Sequence, residues 1–101
     1  MKRIFTAVVL SSVALLVHAE RDTCAEIADA AEVSMQARQM GMTMVEMARS
    51  LDESGVPAAQ KKVIMGIAAK AYKRPMVEGY AVKMKTAKEF GNEAYIGCTG
   101  G

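Results

Sequence analysis

Apolar residues recur along this chain at intervals of three and four, and no stretch of useful length alternates one-in-two. That periodicity predicts helices and no strands. The chain opens differently, on a continuous apolar run from Ile4 to Val17 relieved only by Thr6, Ser11 and Ser12. Beyond it, Ile27, Ala28, Ala31 and Met35 draw an apolar stripe, with Glu26, Asp29, Glu32, Gln36 and Gln39 on a polar face. Thr23 and Glu26 have the spacing of a capping box at its start, and Gly41 supplies a stop. Thr43 and Glu46 repeat that box ahead of Met44, Met47, Ala48 and Leu51, a short amphipathic helix that ends by Ser54-Gly55-Val56-Pro57.

A third helix is expected from about Pro57, with Val63, Ile64, Ile67, Ala68, Ala71 and Tyr72 inward and Lys61, Lys62, Lys70 and Lys73 outward. Pro75 breaks it. A fourth is expected from about Met76 to Tyr95, with Tyr80, Met84, Ala87, Ala94 and Tyr95 facing in and Phe90 adding aromatic core. Gly97, Thr99, Gly100 and Gly101 then read as a loose tail. The fold class that follows is all-α: one small bundle of about four short helices.

Composition changes the reading of the first segment. Lys2 and Arg3 precede the apolar run, and Val17-His18-Ala19 follows it. These are the three parts of a secretory signal, too short for a bilayer span of about 20 residues. Residues 1–19 are therefore read as a signal peptide and 20–101 as a single helical domain, exported and most simply periplasmic. Lys2, Arg3 and the chain's one His, His18, leave with the signal, and the remainder carries eleven positive and eleven negative residues. That neutrality gives no reason to expect a nucleic-acid partner.

The neutral sum conceals two halves. Residues 20–56 carry three positive and eight negative charges, and residues 57–101 carry the reverse. Such halves attract within one bundle, or they steer a partner or a second copy in a homodimer. Cys24 and Cys98 bracket the domain, and an exported chain with two cysteines is expected to pair them. The bridge would close a separation of 74 residues, which the chain-entropy account values at about 4–5 kcal/mol.

Candidate chemistry is sparse. Without a His after export, and with both thiols paired, no tuned nucleophile and base remain. Ser34, Ser50 and Ser54 have no basic neighbour of the catalytic kind, Glu26, Asp29 and Glu32 read as a solvated face, and no glycine loop is placed to hold phosphate. The chain is read as non-catalytic and without a cofactor. Its one unusual enrichment is methionine, 9 in 101 residues. Met35, Met40, Met42, Met44 and Met47 crowd one segment. Met there fills irregular core gaps or lines an adaptable groove. The alternative is a thioether site for Cu(I) built from Met40, Met42, Met44 and Met47.

Several short motifs have fixed spacings. Cys24 is followed by Arg38-Gln39-Met40-Gly41, then by Ala71-Tyr72-Lys73-Arg74-Pro75, and last by Glu89-Phe90-Gly91-Asn92-Glu93-Ala94-Tyr95-Ile96-Gly97-Cys98. In these the chain resembles a group of short exported proteins of proteobacteria and their phages, with a Cys, Arg-Gln-x-Gly, Ala-Tyr-x-x-Pro, Glu-Phe-x-Asn-x-x-Tyr-x-x-Cys pattern. The group has no assigned activity, so the resemblance implies a helical exported domain and no reaction. These residues have a structural reading, with Arg38 on the terminal carbonyls of the first helix and Tyr72 and Pro75 at the corner between the last two helices; Arg38, Gln39, Tyr72 and Asn92 are the candidate partner surface. The function expected is binding of another envelope protein as inhibitor, modulator or adaptor. Soft-metal carriage and a phage-derived regulator of lysis or superinfection are the alternatives.

Overall fold

The structure, a computed structural model, describes residues 23–100. The signal segment read at residues 1–19 lies outside them. Four helices follow one another: α1 (Thr23–Gln39), α2 (Met44–Glu53), α3 (Ala58–Ala71) and α4 (Tyr80–Thr99). The described residues contain no strand.

Each break between helices has a local cause. At the end of α1 the Gly41 N–H donates to the Arg38 carbonyl and the Met42 N–H to the Ala37 carbonyl, with Gly41 at φ +89°. This is a Schellman closure, and a Cβ would strain it. Thr43 then restarts the chain: its hydroxyl accepts from Glu46 N at 3.1 Å, and the Glu46 carboxylate accepts from Thr43 N at 2.9 Å. The capping box expected there is present. α2 ends in a second Schellman closure around Gly55, and Pro57 is the N-cap of α3.

The principal pair is α1 with α4; α3 packs on α1, and α2 packs chiefly on α3. The buried centre is Ala31, Met35, Ala71, Ala87 and Phe90, with Ile67, Tyr72 and Ala94 packed against it. Three of those five are alanines, which lets helix axes approach closely. Gly91 takes this furthest: a Cβ there would lie 3.0 Å from the Ala28 carbonyl oxygen and 3.1 Å from Glu32 Cβ. The Cys24–Cys98 disulfide joins the first turn of α1 to the last of α4, with Cα atoms 5.5 Å apart. It fastens the same pair of helices that bury most of the core.

Several expected orientations are corrected. Gln39 is not on a polar face; it is buried four residues beyond Met35, on the same side of α1. Glu32 is half-buried, lying against α4 at Gly91. Val63, Tyr80 and Tyr95 point outward. Tyr80 does so because α4 starts there and not at Met76: residues 72–79 form a non-helical linker held by side chains of α1. The expected loose tail is helical to Thr99, with Gly100 in the left-handed region as its cap. Cys98, fixed by the disulfide, holds that last turn in place.

Candidate functional site

The residues read as a partner surface separate into a clamp and an outlier. Gln39 has its amide turned onto the α3–α4 linker. Its Nε2 donates to the Pro75 carbonyl at 3.0 Å, and its Oε1 accepts from the Val77 N–H at 2.8 Å. One planar amide thus satisfies a donor and an acceptor of non-helical backbone, as a neighbouring strand would. The carbonyl of Gln39 accepts from Lys83 Nζ at 2.9 Å, which adds the start of α4. Arg38, one position earlier, donates from Nε to the Arg74 carbonyl at 3.1 Å and lies 5.7 Å from the centre of the Tyr72 ring.

Tyr72 completes the clamp from the other side. Its hydroxyl donates to the Met42 carbonyl, tying the end of α3 to the turn between α1 and α2. Burial raises the phenol's pKa above its ordinary value; the Arg38 cation opposes that rise and the Glu46 carboxylate adds to it. Arg74 extends the arrangement: it pairs with Glu93 at 2.8 Å and stacks 5.1 Å from the centre of Phe90. Their hydrogen bond, reinforced by opposite charge, holds Glu93 below and Arg74 above their ordinary pKa values. Asn92 is apart from all of this, exposed on α4. Of the four candidates the structure brings three together, and Gln39 among them is enclosed with its amide fully engaged.

Beside the clamp lies a feature that the periodicity did not reveal. A groove of about 760 Å³ runs between α1 and α2, with Ile64 of α3 at its base. Asp29, Ala30, Val33, Ala37 and Met40 line the α1 side. Glu46, Met47 and Leu51 line the α2 side, and Met42 closes the end at the turn. Val33 is 59% exposed and Met40 61%, high values for large apolar side chains flanking a concave surface. The sequence signal was available: Asp29, Val33, Gln36 and Met40 form a second stripe at spacings of three and four, rotated from the core stripe of Ala28, Ala31 and Met35.

The groove also locates the methionines. Met40, Met42 and Met47 line it, Met44 does not, and Met35 is in the core. The four proposed thioether ligands therefore do not share one wall. Among the described residues no group of three His, Cys, Asp or Glu side chains is placed to hold a metal ion. No described helix is long and apolar enough to cross a membrane. A smaller hollow of about 490 Å³ sits beside Cys98, between Ile27, Ile67, Lys70 and Arg74.

Comparison with protein-family models, curated proteins and solved structures finds no match.

Proposed function

We propose that the mature chain is an exported, non-catalytic protein of the periplasm that acts by binding another protein of the cell envelope. The observation that supports this most is the open groove between α1 and α2, apolar along its walls and edged by exposed Val33 and Met40. Apolar surface of this kind stays in water only at a cost of about 25 cal/mol per Å² relative to being covered. Methionine walls suit a protein partner because unbranched thioether side chains repack around different shapes. The Cys24–Cys98 bridge is in keeping with an oxidising compartment.

The test is photo-crosslinking from single positions of the disulfide-bonded chain in periplasmic extract. A crosslinking residue at Val33 samples the groove, and one at Asn92 samples the exposed face of α4. A defined adduct from Val33, absent from Asn92, is the expected result. Adducts from Asn92 alone would move the site to α4. The absence of adducts from both positions, together with turnover of a small substrate, would overturn the binding reading.

A soft-metal reading has one observation in its favour, the shared groove position of Met40, Met42 and Met47. Titration with Cu(I) against a competing chelator tests it, and binding unchanged by replacing all three with Leu would exclude it.

A further inference from the structure

We propose that the groove receives a basic-flanked amphipathic helix of about three turns, carried by the partner protein; this rests on the protein-binding reading above. The lining residues of α1 run from Asp29 to Met40, which at about 1.5 Å per residue is a length of roughly 16 Å, or three turns of a docked helix. Both long walls are helices, whose backbone groups are bonded within themselves. They offer no free edge to an extended strand. An incoming helix needs no main-chain partner and presents apolar side chains at every third and fourth position.

Charge selects among such helices. The lining contains Asp29 and Glu46 and no Lys or Arg. Glu26 and Glu53 extend the same two rows by one turn, and both are exposed. Glu46 is held below the ordinary carboxylate range because the Thr43 backbone N–H donates to its carboxylate, with the Thr43 side chain and Arg49 one turn along adding to the effect. Arg49 itself is outside the lining. A helix with Lys or Arg beside its apolar face meets this acidic border favourably, and an acidic one meets repulsion.

A second copy is the competing occupant, since residues 57–101 are lysine-rich. That contact would join unlike surfaces, head to tail, and an open chain of copies would leave one groove unfilled at its end. A separate partner closes the interface in one step.

The test uses a labelled synthetic Leu/Lys peptide of about 14 residues, with leucines at helical spacing, and fluorescence anisotropy with the mature disulfide-bonded chain. A Leu/Glu peptide with the same leucines and a Leu/Lys peptide of scrambled order are the comparisons. The ordered Leu/Lys peptide should bind best. Asp29→Lys should weaken it about three- to tenfold, since it turns an attraction for the peptide's lysines into a repulsion. Val33→Gln with Met40→Gln should weaken it at least as much, and Glu89→Lys on α4 should leave it within about twofold.

Equal binding of the Leu/Glu or scrambled peptide overturns the proposal, as does a loss from Glu89→Lys equal to that from Asp29→Lys. Concentration-dependent dimerisation abolished by Asp29→Lys would assign the groove to a second copy and overturn it too. A Val33 adduct in extract, with no affinity for the Leu/Lys peptide, would refute this inference and leave the binding function standing.

Discussion

Replacing Gln39 by Met tests the clamp most directly. The two side chains are similar in length, so packing beside Met35 is largely kept while both amide hydrogen bonds to the linker vanish. The substitution leaves the Val77 N–H and the Pro75 carbonyl without the partners they have at 2.8 and 3.0 Å. An orphaned buried polar group costs about 1–3 kcal/mol. Val77 is half-buried and Pro75 exposed, so water recovers part of the loss, and roughly 2–4 kcal/mol in all is the expected destabilisation. For a domain of this size that corresponds to a fall in Tm of roughly 10–25 °C. Arg38→Met removes the neighbouring contact to the Arg74 carbonyl, which is solvent-exposed, and should cost no more than about 1 kcal/mol. Urea unfolding of the oxidised protein gives both values, and amide hydrogen exchange reads Val77 separately. Equal losses from Gln39→Met and Arg38→Met, with Val77 still protected, would refute the clamp.

Three further outcomes follow from the same contacts. Gly91→Ala should destabilise by about 1–3 kcal/mol through overpacking, because its Cβ meets Ala28 and Glu32 at 3.0–3.1 Å; Gly66→Ala in α3, with nothing within 4 Å, should stabilise by about 0.5–1 kcal/mol. Chemical denaturation of the two variants should show opposite signs. Reducing Cys24–Cys98 should lower stability by about 4–5 kcal/mol, from the 74 residues it encloses, measured as the shift in urea midpoint with reductant. Acid should also weaken the fold. Glu46 and Glu93 are held below the ordinary value of 4.5, so the unfolded chain binds protons first. Their contribution is complete above about 4.5 and is lost as pH falls through the lowered values. Glu93→Gln should flatten that acid limb in a pH series of thermal melts.

The helices were legible in the sequence because their signals are local. Thr43 with Glu46, the glycines at 41 and 55, and the spacing of Ala31 and Met35 each act within a few residues. The cysteine pairing was legible for another reason: two thiols leave one intramolecular choice. What periodicity misread was polar identity. Gln39 looked like surface because it is an amide, yet it stands four residues from Met35 and continues the buried stripe. Its partners, Pro75 and Val77, are 36 and 38 residues away, beyond any local window. The start of α4 was misplaced for the same reason, since the contacts holding residues 72–79 out of helix come from α1. The groove is hidden from periodicity because its stripe on α1, Asp29, Val33, Gln36 and Met40, alternates polar with apolar residues.

The clamp and the groove are mechanically one device. Arg38, Gln39 and Tyr72 hold the α1–α2 turn against the α3–α4 linker. Met40 and Met42, on that turn, form one end of the groove. Beyond the turn, α2 is lightly attached: Met47 is its buried residue, and Asp52 is paired with Lys61 of α3 at 2.8 Å on the surface. An exposed pair of that kind contributes at most about 1 kcal/mol. The groove therefore has one wall, α1, fastened by the disulfide and the core, and another, α2, held by the turn before it, by Met47 and by its packing on α3. A helix with few buried contacts opens at lower free energy than the core around it. On that account Tyr72→Phe, which removes only the hydroxyl held by Met42, should loosen α2 selectively. Hydrogen exchange should rise across 44–53 and stay unchanged at Ala87 and Phe90 in α4; a uniform rise in both helices would show that α2 and the core open as one unit.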